Sequence, residues 1–280
     1  MFYLLLAIAS SATVSLLMRV TERHVRGSMV MFSANYAVCV AMSRLHMGNA
    51  GILAPESGMG WAVALGVVSG FLYLACFVLF QRSIHHNGVI LSSAAMKLGS
   101  VLIPIVLAVL LFRERMGRAQ LAGAAIAIAA VILMNLERGE VRRDGKRLWL
   151  VVLLLISGVT DTMVNVYDKT GAATLKNHYL FYTFLIALLT ALTMALLKRQ
   201  RPNPKDALCG VLIGIPNYYS SRFLLLALAR MPAVVAYPVF SAGTIIAISA
   251  VGMLVFKETF SKQKKCALLM ILAALVLLNI

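Results

Sequence analysis

Apolar residues in this chain come in long blocks, and polar residues gather in short links between them. Ten blocks can be counted, at about 2–18, 28–43, 59–81, 89–112, 118–136, 148–167, 178–197, 207–229, 232–256 and 263–280. A helix needs about 20 mostly apolar residues to cross the hydrocarbon of a bilayer, and most of the blocks reach or approach that length. The pattern predicts an all-α integral membrane protein of ten transmembrane helices. Glycine or proline marks several joints, as in "HHNG" at 85–88 and Pro232 after Met231. His85 and His86 read as a loop pair at the surface rather than as a metal site. The longest polar link, "ERGEVRRDGKRL" at 137–148, lies in the middle of the chain.

A central link suggests a duplication. At an offset of 144 residues, "LLFRERMGRAQLAGAAIAIAAVILMNL" (110–136) lies on "LVFKETFSKQKKCALLMILAALVLLNI" (254–280) without a gap. Leu110/Leu254, Phe112/Phe256, Glu114/Glu258, Ala129/Ala273, Ala130/Ala274, Leu133/Leu277 and Asn135/Asn279 are identical pairs, and Arg113/Lys257 and Arg118/Lys262 keep their charge. The same offset lays Gly66 and Gly70 on Gly210 and Gly214, and Gly99 on Gly243. Each half has five spans, an odd number, so the second half enters the membrane from the opposite side. The expectation is two inverted five-helix repeats, 1–138 and 145–280, a construction of secondary transporters in which a site near the midplane is reached alternately from the two sides. Glu114 and Glu258 begin the turns before helices five and ten, where a carboxylate meets the free N–H groups of a helix start. The GxxxG pairs put two glycines on one helix face for close approach of a neighbouring helix. Packing within one chain is the expected use, and homodimerisation the alternative.

Composition agrees with the blocks: 61% hydrophobic, 13% charged, mean hydropathy +0.89. The net charge of +16 would suggest nucleic acid in a soluble protein. Here the basic residues fill the short links, where they set orientation and meet anionic lipid headgroups, and no basic tract is interleaved with aromatics. Counted with the first residues of the span that follows, links after odd-numbered spans hold 17 Lys and Arg and links after even-numbered spans hold 7. By this count the odd links are cytoplasmic and both termini lie outside. Cys39, Cys76, Cys209 and Cys266 all fall inside apolar blocks, without metal-ligand spacing, and read as small hydrophobes. The first block lacks the basic leader of a signal peptide and reads as a retained span.

The "lfrEr" and "vFkEtfs" turns, each leading into a final helix rich in small residues, resemble the drug/metabolite transporter superfamily, specifically its EamA-like ten-helix proteins. "GIPNYYSSRFLLLALARMP", 214–232, resembles them too, and the likeness covers essentially the whole chain. It implies a carrier of amino acids or other metabolites, sugar phosphates, nucleotide sugars or drugs. The small multidrug members use a glutamate in the first helix. Here that helix offers Ser10, Ser11, Thr13 and Ser15, which disfavours a drug-cation/proton antiporter. The resemblance also implies cytoplasmic termini, opposite to the charge count.

Three charges fall within spans: Lys97, Asp161 and Arg222. Each costs about 2.5–3.5 kcal/mol at a helix centre, against a return of roughly 0.3–0.6 kcal/mol for each large aliphatic residue. A span as apolar as the fourth can carry one lysine. At 1.5 Å per residue Lys97 stands about 12 Å above the surface where spans four, six and eight begin, Asp161 about 20 Å and Arg222 about 22 Å. Equal height pairs Asp161 with Arg222 as a structural ion pair. Lys97 either snorkels to the interface or lines a wet cavity where it meets an anionic group. Asn217, Tyr218, Tyr219 and Ser221 beside Arg222, Asn35 and Tyr36 in the second helix, and Ser241 and Thr244 in the ninth outline a polar lining at similar depth. Each alone is also ordinary interhelical glue. Pro104, Pro216 and Pro238 interrupt helices four, eight and nine, as bends for gating or as packing adaptations.

No zinc-binding motif, nucleophile elbow or phosphate loop is present, and neither a cofactor nor a metal is read. The sequence predicts a secondary transporter of a small anionic or zwitterionic metabolite in a bacterial inner membrane, monomeric or homodimeric, with proton or ion coupling through Asp161. A flippase for a lipid-linked or nucleotide-activated sugar, and a non-transporting membrane scaffold, are the alternatives.

Overall fold

The computed structural model describes residues 1–21, 25, 27–87, 89–113, 117–135 and 147–254, together with 266, 269–270, 273–274 and 277. Among these residues the chain is helical throughout its apolar blocks. The helices are α1 (Phe2–Thr21), α2 (Ser28–Met47), α3 (Met59–Asn87), α4 (Val89–Phe112), α5 (Arg118–Asn135), α6 (Arg147–Thr170), α7 (Lys176–Leu197), α8 (Pro204–Leu228) and α9 (Ala233–Leu254). A short 3₁₀ turn, Ala173–Leu175, precedes α7. These are the first nine predicted blocks, with each end moved by at most six residues. The described residues of the tenth block are helical. The expected loop at 85–88 is corrected: α3 runs through His85 and His86 to Asn87. Their side chains, like that of Lys97, lie outside the described residues, as do Glu114, Glu258 and the central link 137–146.

Among the described residues, four stretches are long and apolar enough to cross a membrane: Met59–Phe80, Leu148–Thr170, Ala173–Leu197 and Pro204–Leu228. Their outward faces are aliphatic. Leu148, Val151 and Leu155 form an exposed stripe on α6, and Leu189, Leu192, Leu196 and Leu197 another on α7. Such surfaces belong in hydrocarbon. Many hydroxyl groups inside the helices are satisfied locally, as a medium without water favours. The hydroxyls of Thr13, Ser33, Ser43, Thr162, Thr183 and Thr244 each donate to the carbonyl four residues back, at 2.7–2.8 Å. The chain is an integral membrane protein.

The helices group into two compact units that each draw on both halves of the sequence. The first takes Met1–Leu74 and Val166–Ala229, the second Ala75–Asn165 and Arg230–Ile280. In the first unit α2 packs against α7 and α8, and α1 lies on α8. Hydrogen bonds at the helix ends fix the directions. The Asn177 side chain at the start of α7 donates to the His46 carbonyl at the end of α2 (2.8 Å), and Gln200, past the end of α7, accepts from the Met29 N–H at the start of α2 (3.0 Å). So α2 and α7 are antiparallel. The buried Asp206 carboxylate in the first turn of α8 accepts from Gly27 N–H (2.9 Å) and thereby caps the start of α2. Trp61 at the start of α3 donates to Thr170 (2.9 Å), beside the turn into α7. Hence α8 runs with α2, α3 runs with α7, and α3 and α8 run in opposite directions.

The GxxxG glycines sit at the two parallel contacts. A Cβ on Gly214 would lie 2.7 Å from the Asn35 carbonyl and 2.7 Å from Val38 Cβ. A Cβ on Gly70 would lie 2.7 Å from the Thr183 carbonyl and 2.6 Å from Ile186 Cβ. Gly210 faces Met31, Ala34 and Asn35, and Gly66 faces Tyr179, Tyr182 and Thr183, through the same atom types. The facing residues correspond at a constant offset of 148, one helical turn more than the offset of the glycines. These motifs therefore serve packing within the chain.

In the second unit α4 packs on α5 and α9, and α5 on α9, with Ala130 and Ala242 at a core flanked by Ile246 and Met270. Gly99 and Gly158 bring α4 and α6 together, each facing the other helix's backbone. The Ser157 hydroxyl donates across that contact to the Met96 carbonyl (3.1 Å).

Because the carbonyls facing Gly70 and Gly214 belong to helices that cannot yield cheaply, a methyl group is expected to overpack both contacts. Gly70→Ala and Gly214→Ala should each cost about 1–3 kcal/mol and lower the melting temperature in detergent by similar amounts. Gly60→Ala, where nothing lies within 4 Å of the new Cβ, should leave it unchanged or raise it.

Candidate functional site: a polar and aromatic cluster around Arg222

Arg222 lies six residues before the end of α8, and its partners are neutral. Its Nη1 donates to Asn177 Oδ1 (2.6 Å) and to the Tyr218 hydroxyl (3.1 Å). Asn177 is the second residue of α7, and its own amide is fixed on the last turn of α2 through His46. The guanidinium therefore stands at the level of these helix ends, not at the mid-depth expected from counting residues up the eighth span. A long side chain places its charge away from its Cα in this way. The His46 ring stands over Tyr218 (5.3 Å between centroids) and edge-on to Tyr219 (5.9 Å). Tyr219 stacks on Phe223 (5.4 Å). The result is a half-buried cation framed by amphipathic rings.

Below it, one helical face of α8 carries Asn217 and Ser221. Asn217 Nδ2 donates to Asn35 Oδ1 (3.2 Å) and reaches Cys39 Sγ (3.8 Å) on α2. The Ser221 hydroxyl lies 3.5 Å from the Tyr73 hydroxyl of α3. Tyr36 is fully buried and packs its ring on Phe184 (6.4 Å), which also meets Tyr73 (6.2 Å) and Tyr218 (6.1 Å). Nearer the start of α7, Tyr179 stacks face to face on Tyr167 (4.2 Å) and shares a hydrogen bond with Ser69 (3.0 Å). One end of this unit is locked by its loops. His178 bonds the Gly51 carbonyl (3.0 Å), Tyr182 donates to the Ile52 carbonyl (3.1 Å), and Thr174 donates to Glu56 (2.7 Å). Lys176 pairs with Asp168.

Of the residues singled out in the sequence, Arg222, Asn217, Tyr218, Tyr219, Asn35 and Tyr36 come together in the first unit. Asp161, Ser241 and Thr244 belong to the second unit, as does the backbone of Lys97. Asp161 is half-buried, and its carbonyl accepts from the Tyr237 hydroxyl (2.6 Å). Ser241 and Thr244 are buried in α9. In place of the expected partner Asp161, the described contacts of Arg222 are Asn177 and Tyr218. Sequence reading missed Asn177, His46 and Tyr73. Asn177 and His46 lie at the edges of apolar blocks, where polar residues are ordinary.

A groove of about 520 Å³ opens between α1 and α8, also within the first unit. Ser10, Thr13, Leu212, Ile215, Pro216 and Tyr219 line it. Proline at 216 has no N–H to give the Leu212 carbonyl, so that carbonyl lacks its regular helical partner. Among the described residues no group of three or more His, Cys, Asp or Glu is arranged to hold a metal.

Asn35 is almost fully buried, so its bond to Asn217 is a test of glue against ligand contact. Asn217→Leu should strand the Asn35 oxygen at a cost of about 1–3 kcal/mol. Asn35→Leu with Asn217→Leu should cost less than the sum of the single changes, as read from melting temperatures in a double-mutant cycle.

Comparison with known proteins places this geometry. A solved crystal structure, 14% identical, superposes with a TM-score of 0.75 over 99% of this chain and 94% of its own, which shows a shared fold. An uncharacterized protein of Haemophilus influenzae is 26% identical over 212 residues, 74% of this chain and 72% of that protein. Residues 148–280 match the profile of the EamA-like transporter family. With its apolar helices, the chain is a membrane protein whose residues 148–280 are similar to the EamA-like transporter family, a family of the drug/metabolite transporter superfamily.

Proposed function

We propose that this transporter is a secondary carrier of a small anionic or zwitterionic metabolite, working by alternating access across two inverted five-helix repeats, 1–138 and 145–280. The observation that carries the substrate class is Arg222. The described partners of this half-buried guanidinium, Asn177 and Tyr218, are both neutral, which supports an anionic group of a ligand as its counter-charge. Arginine is suited to carboxylate or phosphate, which its planar fork grips through two parallel bonds. Asn177 and Tyr218 fix one edge of that fork, and Tyr219 and His46 supply flat amphipathic surfaces beside it. Lys97 and Asp161 enter this reading from the sequence: a further cation for the anionic group, and a switchable acid for proton or ion coupling. The inner membrane of a bacterium is the proposed location.

Three observations support the inverted repeat. Equivalent helices of the two halves, α2 with α7 and α3 with α8, run antiparallel in the first unit. The paired glycines make the same contacts with residues at one constant offset. Tyr36 and Phe184 are themselves partners at that offset and touch each other, as residues beside a two-fold axis do.

A second reading, a flippase for a lipid-linked sugar, is favoured by the groove between α1 and α8. Exposed Leu212 and Ile215 on its lining give an acyl chain a sideways path.

The test is a thermal-stability screen of purified protein against carboxylates, phosphates, amino acids and organic cations. A ligand at 100 times its Kd adds about 2.7 kcal/mol to the folded state. An anion or zwitterion should stabilise the wild type, with the effect lost in Arg222→Ala and partly kept in Arg222→Lys. Stabilisation by cations alone, unchanged in both variants, would sink the proposal.

A further inference from the structure

The groove between α1 and α8 is graded along its length. α1 packs along α8, and Tyr3 at the start of α1 stacks on Phe223 near the end of α8 (6.3 Å), so the two helices run antiparallel. In that register Leu17 and Leu212 line one end of the groove, and Ser10 and Tyr219 stand toward the other. Three rings in a row, Tyr3, Phe223 and Tyr219, mark this second end, with 5.4 Å between the last two. The volume of about 520 Å³ lies within the range of sites that bury small ligands, about 300–1,000 Å³.

The second end is also the polar end. The Thr13 hydroxyl donates to the Ala9 carbonyl (2.8 Å), as helical hydroxyls in hydrocarbon do. The hydroxyls of Ser10 and Tyr219, both half-buried, make no hydrogen bond among the described residues. A lipid chain gives such groups nothing to bond. Arg222 borders the same face of α8. It follows Tyr219 by three residues and Ile215 by seven, the spacings of one and two helical turns. The Tyr219 ring lines the groove and also meets His46 (5.9 Å) and Tyr218 (5.4 Å), the rings that frame the guanidinium. From Arg222 down to Leu212 is about 15 Å along the helix axis.

We infer that the groove between α1 and α8 is the tail subsite of the Arg222 site, and that the solute is an amphiphilic anion. Its carboxylate or phosphate sits at Arg222, and its hydrocarbon chain runs past Tyr219 to Ile215 and Leu212. A solute with a head alone leaves the apolar end empty. A chain alone leaves Arg222 with neutral partners only and gives Ser10 and Tyr219 no acceptor. An anion with a tail meets both ends, and Tyr219 is the surface common to them. The inference deepens the proposed substrate class and rests on the reading of Arg222 as the holder of an anionic group. It gives the groove to the solute's own tail and not to a membrane lipid.

The probes are acetate, butyrate, hexanoate and hexylammonium, with affinities read from the concentration dependence of the melting temperature. Ile215→Trp fills the groove from α8, at a side chain 45% exposed with room to grow. Ser10→Phe fills it from α1. The expected result in wild type is an affinity that rises about two- to four-fold for each methylene from acetate to hexanoate. The rise should flatten in both filled variants, and hexylammonium should not stabilise the protein. Equal affinity for acetate and hexanoate overturns the inference, as does a rise that persists in Ile215→Trp and Ser10→Phe. So does hexylammonium matching hexanoate, because the groove then takes a chain without an anionic head, as a lipid supplies one. The Arg222 reading fails in a separate arm, by acetate stabilising wild type and Arg222→Ala alike. No stabilisation by any carboxylate overturns both.

Discussion

Two backbone contacts without side chains between them organise the first unit. Where α8 meets α2, and where α3 meets α7, glycines let a helix press on its neighbour's carbonyls, closer than any residue with a Cβ allows. In a bilayer, apolar area gives little drive to bring helices together, because lipid tails are as apolar as leucine. Close packing and interhelical hydrogen bonds must do it. The face of α8 that carries Gly210 and Gly214 continues into Asn217 and Ser221. The glycine contact therefore sets the distance at which Asn217 meets Asn35 and Ser221 meets Tyr73. One step round the helix, Tyr218 and Arg222 are aimed at the ends of α2 and α7. Arg222 depends on the crossing for its place.

The two halves use this contact alike and then diverge. At the offset that matches the glycines, Tyr73 stands where Asn217 stands. At the offset that matches the facing helices, Asn35 corresponds to Thr183 and Cys39 to Ala187. The paired glycines are kept alike, and the residues around them are not.

Much of the fold is legible in the sequence because the bilayer leaves few choices. An apolar block of the right length must be a helix, since no other open structure satisfies its backbone, and nine blocks map onto α1–α9. The paired glycines at 66, 70, 210 and 214 point correctly to close packing. The site is less legible. Counting residues along the eighth span puts Arg222 at mid-depth, but the length of its side chain and the pull of Asn177 carry the guanidinium to the helix ends. Nothing in a linear pattern marks Asn177 or His46, whose roles come from neighbours far away in sequence.

The most direct test of the central claim, that Arg222 holds an anionic group of a transported solute, is counterflow in proteoliposomes. Vesicles are loaded with an unlabelled anion or zwitterion that binds the purified protein and diluted into a trace of the same compound carrying a label. The account predicts transient accumulation of label with wild type, little with Arg222→Ala, and intermediate accumulation with Arg222→Lys. Equal accumulation in wild-type and Arg222→Ala vesicles, or none in either beyond that of empty liposomes, would contradict it.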